Sequence, residues 1–319
     1  MSDAKKIYPS VLDLIGNTPV VDISSLSPNK NVSIYLKLEG QNPGGSVKDR
    51  IALHMVQTAE KDGILQPGAT LLEPSSGNTG IGLAMVCTVK GYSLKVVLPD
   101  NVSPERKLLL EIWGAEIIYS PGSEGSNGAV RLALKLKEAH PEWVFLYQYG
   151  NVANPMAHYL TTGPEIYSAV PDITHFVAGL GTSGTLLGVG KYLKQKNSDI
   201  KIWAVEPPAG EMVDGLRSLD DGFIPPIFTE LNGQQILDRK TIVGPRASIL
   251  YTRELAKLGI FAGISTGAAL AGAIKCAESI SSGKIVVLSP DGGWKYISSG
   301  AWTDSLDVAE AKARSTIYF

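Results

Sequence analysis

Eight short runs of apolar and β-branched residues recur along the chain, and helical periodicity fills the stretches between them. Strands that alternate with helices in this way favour parallel sheets covered by helices on both faces. The runs are SIYLKL (33–38), ATLLEP (69–74), SLKVVLP (93–99), AEIIYS (115–120), WVFLYQY (143–149), THFVAGL (174–180), IKIWAVE (200–206) and KIVVLSP (284–290). The sequence therefore predicts an α/β protein with mostly parallel, twisted sheets.

The length of 319 residues exceeds one typical domain and predicts two lobes. We place residues 38–148 in a smaller lobe, and residues 1–37 and 149–319 in a larger one. Residues 207–245, rich in Gly, Pro and Asp, are the longest weakly periodic segment, which in a compact enzyme is often a lid or binding loop. The tail ARSTIYF (313–319) is expected to fray, with folding over the active site as the alternative.

The overall charge argues against two classes of partner. With a net charge of -2 and a pI near 6.1, no like-charge field exists to attract nucleic acid or an anionic membrane. The first residues, MSDAKKIYPSVLDL, lack the pattern of a secretory signal, and no apolar run approaches the roughly eighteen residues that span a bilayer. We expect a cytosolic protein, without a membrane or nucleic-acid partner, that acts on a small neutral or anionic metabolite.

Cysteine and histidine usage does not favour a disulfide or a metal centre. Cys87 and Cys276 are far apart, and each lies in a helix-like context, so buried free thiols are expected. The four histidines show neither metal-ligand spacing nor clustering with the cysteines. Metal catalysis is therefore not expected.

The segment NPGGSVKDR (42–50) places a lysine just past a Pro-Gly-Gly loop, where a helix is expected to begin. Ser46 and Asp49 have the spacing of a capping box, which puts Lys48 in the first helical turn. The positive end of a helix disfavours a protonated amine and lowers its pKa. Because a neutral amine is the better nucleophile toward carbonyls, Lys48 is a candidate catalytic residue, with an ordinary solvated lysine as the alternative.

Two further loops lead from a predicted strand into a predicted helix and carry accessible amides and hydroxyls. EPSSGNTG (73–80) suits an anion or a plain helix cap. GLGTSGT (179–185) combines glycines with three hydroxyls and favours a phosphate. The same loop matches G-x-G-x-x-G, with Glu206 about twenty residues later, so a dinucleotide site is its main rival.

The segment GISTG (263–267) matches the nucleophile elbow G-x-S-x-G of α/β-hydrolases. The triad of those enzymes requires a histidine after the serine in chain order. The last histidine of this chain is His175, so a hydrolase is excluded.

Five motifs in the same order along nearly the whole chain resemble those of the cysteine synthase family, which are fold type II pyridoxal-phosphate enzymes. The motifs are IGNTPVV (15–21), NPGGSVKDR (42–50), EPSSGNTGIGLA (73–84), GLGTSGTLLG (179–188) and GISTGAA (263–269). The resemblance implies pyridoxal 5'-phosphate as cofactor. It also implies that the smaller lobe carries the substrate loop and the larger lobe carries the cofactor phosphate site.

The resemblance also implies roles for individual residues. Lys48 matches the lysine of the internal Schiff base, Asn78 the asparagine that binds the cofactor 3'-hydroxyl, and Ser265 the serine near the pyridine nitrogen. The phosphate cradle corresponds to Gly181, Thr182, Ser183, Gly184 and Thr185. The substrate carboxylate loop corresponds to Ser75, Ser76, Gly77 and Thr79, with Gln148 reaching in.

The segment SPDGGWKYISSG (289–300) departs from the common pattern of the family, because Asp291 takes the place of a serine. A carboxylate near the pyridine nitrogen would favour its protonated form, so Asp291 is an alternative to Ser265, which we prefer. WKYISSG, together with VAGLGTSGTL, GIFAGISTGA and LRSLDDGFIP (216–225), is most similar to the O-phosphoserine sulfhydrylase, or CysM-type, subgroup.

In that subgroup an arginine meets the substrate phosphate, and Arg217 occupies its place here. A guanidinium fork fits phosphate oxygens and helps the leaving group depart. The alternative is a surface arginine paired with Asp220 or Asp221.

The resemblance implies replacement of the leaving group of an O-activated L-serine by a sulfur nucleophile, through an aminoacrylate, to give L-cysteine. O-phospho-L-serine is favoured over O-acetyl-L-serine, and the donor is sulfide, thiosulfate or a thiocarboxylated carrier protein. A homodimer is implied by the resemblance only. One alternative is another β-replacement enzyme such as cystathionine β-synthase. A second is a cofactor-binding protein without catalytic turnover, such as a partner subunit of an acetyltransferase. A third, which follows from the possible dinucleotide site at 179–184, is an NAD-dependent dehydrogenase.

Overall fold

The computed structural model describes residues 7–75 and 77–315. Its strands are β1 (Val20–Asp22), β2 (Val32–Leu38), β3 (Thr70–Pro74), β4 (Ser93–Pro99), β5 (Glu116–Ser120), β6 (Val144–Phe145), β7 (His175–Gly179), β8 (Lys201–Glu206), β9 (Arg239–Ile242) and β10 (Gly283–Ser289). Its α-helices are α1 (Lys48–Lys61), α2 (Asn78–Lys90), α3 (Pro104–Ile112), α4 (Gly125–Ala139), α5 (Ala153–Ala157), α6 (Gly163–Ala169), α7 (Gly184–Lys196), α8 (Pro226–Glu230), α9 (Gly233–Ile236), α10 (Pro245–Lys257), α11 (Ile264–Ser279) and α12 (Leu306–Ser315).

The strands form two sheets. The larger sheet has the order β1-β2-β10-β7-β8-β9, and the smaller has the order β5-β4-β3-β6. Among the described residues every neighbouring pair is parallel except β1 and β2, which pair antiparallel. The predicted α/β class with mostly parallel sheets is confirmed.

All eight predicted runs contain a strand, although WVFLYQY supplies only Val144–Phe145. β1 and β9 were not predicted. Residues 207–245 are not a loop throughout, because α8, α9 and β9 occupy their second half. The role of this segment as a lid stays a prediction, as do the lobe boundaries at residues 38 and 148.

The two sheets have separate cores. α2 packs against β4 of the smaller sheet and α1 packs against α2, and their apolar side chains, which include Ile51, Met55 and Leu83, share one core with the sheet. α11, made mostly of small residues, packs against α10, β10 and β7 in the larger lobe. In β7 the central residues 176–178 are apolar and buried, as expected where helices cover both faces of a sheet.

The structure can be compared with the expectations about the cysteines and about membrane-spanning segments. Cys87 and Cys276 are buried free thiols, as predicted. Within the described ranges, no helix has the length and apolar character that a membrane crossing requires. Ser76 and residues 316–319 of the tail lie outside the described residues, so nothing further is said of their structure.

Candidate active site

A cavity is lined by residues from loops of both sheets and gathers most of the predicted site residues. Those that line it are Lys48, Ser75, Gly77, Asn78, Thr79, Gln148, Gly181, Thr182, Ser183, Thr185, Arg217 and Ser265. Gly184 lies next to the lining as the first residue of α7. The loop after β3 of the smaller sheet and the loop after β7 of the larger sheet both line this cavity, each at the carboxyl end of a parallel strand.

Lys48 is the first residue of α1, so the prediction that it lies in the first helical turn is confirmed. The predicted capping box is wrong. Val47 is the N-cap, Ser46 Oγ accepts from the Lys48 N–H at 3.2 Å, and the Asp49 carboxylate accepts from the Gly44 N–H at 2.5 Å. The Pro-Gly-Gly loop folds back over the helix end. The Asp49 carboxylate therefore accepts a hydrogen bond from this loop rather than from the N-cap residue, as a capping box would require.

The amine of Lys48 has a lowered pKa. Its half-buried side chain lines the cavity, and burial lowers the pKa to about 8, while the nearby Asp291 carboxylate acts in the opposite direction. The predicted direction is confirmed, but the main cause is burial rather than the helix end that the sequence suggested. At pH 7 about a tenth of this amine is therefore uncharged, far more than for a solvated lysine with its pKa near 10.4.

The loop between β3 and α2 forms one wall of the cavity. Ser75 Oγ accepts from the Gly80 N–H at 3.0 Å and from the Gly77 N–H at 3.3 Å. Thr79 Oγ1 donates to Gln148 Oε1 at 2.6 Å, so these two predicted residues are in direct contact. This arrangement places hydroxyl and amide groups beside the N-terminus of α2, where an anion is stabilised.

The loop between β7 and α7 forms a second wall. Ser183 has a φ of +70°, and α7 begins at the next residue, Gly184. A Cβ atom at Gly184 would lie 1.9 Å from Asn154 Oδ1, so only glycine fits. Asn154 Nδ2 also donates to Thr182 Oγ1 at 3.0 Å, which fixes that hydroxyl. The result is a cradle of backbone amides and hydroxyls.

Asp291 lies behind Asn78 rather than in the cavity lining. Its Oδ2 atom accepts from Asn78 Nδ2 at 2.7 Å and from Tyr296 Oη at 2.7 Å. Ser265, the preferred partner for the pyridine nitrogen, lines the cavity as the second residue of α11. The choice of Ser265 stays a prediction.

Arg217 lines the cavity and contacts Asn127, Tyr149 and Phe223. Its Nη atoms donate to Tyr149 Oη at 3.2 Å and to Asn127 Oδ1 at 3.4 Å, and the guanidinium lies 5.0 Å from the ring centres of Tyr149 and Phe223. No carboxylate of the described residues forms an ion pair with it. Asp220 instead pairs with Lys240, and Asp221 accepts from the Gly210 N–H.

Comparison with known proteins identifies the family. A family model described as "Pyridoxal-phosphate dependent enzyme" matches residues 11–291. "Cysteine synthase" of Staphylococcus aureus (strain Mu50 / ATCC 700699) is 44% identical over 307 residues, which covers 93% of this chain and 97% of the relative. The chain belongs to the cysteine synthase family of pyridoxal-phosphate-dependent enzymes.

Two further similar proteins support the assignment to this family. "Cysteine synthase B" of Escherichia coli (strain K12) is 41% identical over 290 residues, with 90% of this chain and 94% of the relative covered. The crystal structure of a cysteine synthase from Entamoeba histolytica superposes with a TM-score of 0.88 at 32% identity, covering 98% and 97% of the two chains. The cofactor of the family is pyridoxal phosphate, so the alternative of an NAD-dependent dehydrogenase is wrong.

The cavity fits the cofactor of the cysteine synthase family. The start of α7 offers amides and hydroxyls to a phosphate, Lys48 offers an amine with a lowered pKa to an aldehyde, and Asn78 offers an amide to a ring hydroxyl. The lack of space at Gly184 also supports a phosphate site at the start of α7. A larger residue there would displace Asn154 from its hydrogen bond with Thr182.

Several residues that support this family site were not predicted from the sequence. Glu73, buried on β3, accepts from the N–H groups of Tyr147 and Gln148. His158 contacts Thr185 Oγ1 at 3.2 Å, and burial lowers its pKa well below the usual range. Lys295 contacts Asn78. The sequence offered one signal for these residues, which is a charged residue inside an apolar run, as with Glu73 in ATLLEP.

Proposed function

We propose that this enzyme forms L-cysteine from an O-activated L-serine by replacing the β-substituent with a sulfur nucleophile, and that O-phospho-L-serine is its preferred substrate. Bound pyridoxal phosphate supplies an electron sink for negative charge at the substrate α-carbon. Lys48, Asn78, Ser265 and the loop 181–185 would hold it. The position of Arg217 at the cavity edge is the observation that carries the preference for a phosphorylated substrate.

Lys48 is the proposed base. Its side chain lines the cavity, and a pKa of about 8 allows the amine to accept the α-proton near neutral pH and to return it afterwards. A fully solvated lysine, with its pKa near 10.4, would be protonated almost completely at that pH.

The substrate carboxylate is proposed to bind at the N-terminus of α2, to Ser75, Ser76, Gly77, Thr79 and Gln148. Because Gln148 Oε1 accepts from Thr79, its Nε2 hydrogens are the donors that it offers to a ligand. The partial positive charge of the helix end adds to the attraction.

Arg217 supports a phosphate leaving group for electrostatic reasons. Stacking against Tyr149 and Phe223 holds the guanidinium plane at the cavity edge, and its contacts are a phenol and an amide rather than a carboxylate. A phosphate would add a charge-assisted, two-pronged contact, whereas a neutral acetyl group has no charge to offer. This difference favours O-phospho-L-serine over O-acetyl-L-serine.

Steady-state kinetics of an Arg217→Ala variant tests the proposal. Loss of a hydrogen bond to a charged group costs about 1.5–3 kcal/mol, so kcat/KM for O-phospho-L-serine should fall roughly 10- to 100-fold, with little change for O-acetyl-L-serine. Arg239→Ala is the matched control, because Arg239 also stacks on an aromatic ring, that of Trp203, but does not line the cavity. Equal losses for both substrates would contradict the assignment.

The sulfur donor and the assembly state complete the proposal. Sulfide, thiosulfate and a thiocarboxylated carrier protein are the donors to compare in the same assay. Homocysteine as the nucleophile tests the alternative activity of a cystathionine β-synthase.

We also propose a homodimer, which analytical ultracentrifugation of the purified protein would test. A cytosolic location stays a prediction.

A further inference from the structure

A buried cluster of charged groups lies directly behind Asn78. Lys295 comes from the 3-10 helix Gly293–Ser299 and is 5% exposed, and Asp291 precedes that helix and is 1% exposed. Asn78 is the first residue of α2, more than two hundred positions earlier in the chain. The cluster therefore joins segments of the two lobes.

The three hydrogens of the Lys295 ammonium have three acceptors within reach. Its Nζ atom lies 2.6 Å from Asn78 Oδ1, 3.2 Å from the Gly45 carbonyl oxygen and 3.3 Å from the Gly44 carbonyl oxygen. The two carbonyls belong to the loop that leads into Lys48. Lys295 thus ties that loop to Asn78.

Asp291 contacts the other end of the same amide. Its Oδ2 atom accepts from Asn78 Nδ2 at 2.7 Å and from Tyr296 Oη at 2.7 Å, and its Oδ1 atom is buried without a hydrogen-bond partner among the described residues. A cation therefore faces the amide oxygen of Asn78, and an anion faces the amide nitrogen.

These two contacts determine which way the amide points. Rotation by 180° would set the Asn78 NH₂ group against the ammonium and its oxygen against the carboxylate, and both contacts would be repulsive in a site where charges are weakly screened. Asn78 also lines the cavity, so the second Nδ2 hydrogen is the donor that this amide offers to a bound molecule.

We propose that Lys295 is a positioning residue that, together with Asp291, clamps the Asn78 amide with its N–H toward the cofactor. The inference rests on the proposed placement of Asn78 beside the cofactor ring hydroxyl. The ammonium at Oδ1 also polarises the amide and strengthens the remaining N–H as a donor. Lys295 is not proposed to touch the cofactor or the substrate.

A double-mutant cycle on cofactor affinity tests the clamp. The dissociation constant for pyridoxal 5'-phosphate is measured by absorbance titration of the apoprotein, for the wild type and for Lys295→Met, Asn78→Ala and the double variant. We expect each single variant to raise the dissociation constant about tenfold or more, and the double variant to bind no more weakly than Asn78→Ala. Each single variant should also shift the absorption maximum of the bound cofactor.

Lys37→Met is the matched control, since Lys37 is another buried lysine but contacts Thr18 and Glu165 rather than Asn78. It should leave the dissociation constant within about twofold, because it does not touch the amide. Near-ultraviolet circular dichroism of each apoprotein checks folding. If Lys295→Met fails to fold, the same cycle with Lys295→Gln, which keeps a donor without the charge, is expected to show the same lack of additivity.

The outcomes separate this inference from the proposed function. Weak binding by Asn78→Ala with unchanged binding by Lys295→Met would overturn the clamp alone. Fully additive losses in the double variant would also overturn it, because they would show that Lys295 acts independently of Asn78. Unchanged binding by Asn78→Ala would overturn the placement of Asn78 at the cofactor, and the clamp with it.

Discussion

Glu73 and Gln148 are joined across β3 and the end of β6, where the Gln148 N–H donates to Glu73 Oε1 at 3.0 Å. The N–H of Tyr147, a residue with a φ of +51°, donates to Glu73 Oε2 at 2.8 Å. Since Gln148 in turn contacts Thr79, this one carboxyl group supports the wall that is proposed to bind the substrate carboxylate.

Glu73 should make stability depend on pH. Burial raises its pKa to about 8, although the two N–H donors oppose that shift. In the unfolded chain the group loses its proton near pH 4.5, whereas in the folded protein it keeps the proton until about pH 8. Its contribution to the free energy of unfolding therefore falls as pH rises through this window, by up to about 1.4 kcal/mol per pH unit.

Urea denaturation of the wild type and of Glu73→Gln at pH 5, 6.5 and 8 measures this effect. Because other groups cancel in the comparison, the variant should gain stability relative to the wild type as pH rises. A difference that stays constant from pH 5 to pH 8 would contradict the raised pKa.

Glu165 should have the opposite pH dependence. Burial disfavours its charged form, but hydrogen bonds and charges from Arg50 and Lys37 outweigh burial and lower its pKa to about 2. The stabilisation is present above about pH 4.5 and is lost as pH falls through 2. Glu165→Gln should lower the free energy of unfolding at pH 7 by about 3 kcal/mol, because it leaves two largely buried cations without this partner.

Chemical denaturation at pH 7 with a surface control measures the effect of Glu165. Glu254→Gln breaks the exposed pair with Lys257 and should change stability by less than about 0.5 kcal/mol. Equal effects of the two substitutions would show that the ion-pair group around Arg50 contributes no more than a surface pair.

Gly184→Ala should weaken cofactor binding. The new Cβ atom would lie 1.9 Å from Asn154 Oδ1, and relief of that overlap would move Asn154 away from Thr182. Overpacking of this kind costs about 1–3 kcal/mol, so the dissociation constant for pyridoxal 5'-phosphate should rise roughly 5- to 150-fold. Gly190→Ala is the control in the same helix. Its new Cβ atom would lie 2.7 Å from Ile236 Cγ2 and 3.3 Å from Ile202 Cγ1, and neither isoleucine lines the cavity, so the dissociation constant should stay nearly unchanged.

Lys48 in the apoprotein should react with acetic anhydride through an amine that titrates near pH 8. Because the Asp291 carboxylate favours the protonated amine, Asp291→Asn should move the midpoint to lower pH. Competitive acetylation followed by mass spectrometry of the Lys48 peptide gives both midpoints, with the exposed Lys257 as internal reference. A midpoint near 10.4 in the wild type would contradict the effect of burial.

The local parts of the site could be predicted from the sequence. A Gly-rich loop after a strand and before a helix fixes where a residue such as Lys48 or Thr182 will lie relative to the helix end, because all the determining residues are neighbours in the chain. The eight apolar runs gave strands for the same reason. β9 was missed because RKTI is a short edge strand with two charged residues, which lacks the apolar pattern of a central strand.

The parts that depend on distant segments could not be predicted. Asp291 and Lys295 meet Asn78 across more than two hundred residues, and no periodicity in the sequence specifies that meeting. The capping box failed for a related reason, since Gly44 competes for the Asp49 carboxylate once the loop has folded back. The family resemblance predicted a substrate-binding role for Arg217. It did not predict the aromatic residues that contact the guanidinium, Tyr149 and Phe223.

Borohydride reduction of the purified enzyme, followed by peptide mapping, tests the central claim most directly. Reduction makes the bond between the cofactor aldehyde and the lysine amine permanent, and we predict one labelled peptide that carries the label on Lys48. Lys295 is buried, and its Nζ atom lies 2.6 Å from Oδ1 of Asn78, which lines the cavity. A label on Lys295, on any other lysine, or on none would contradict the account.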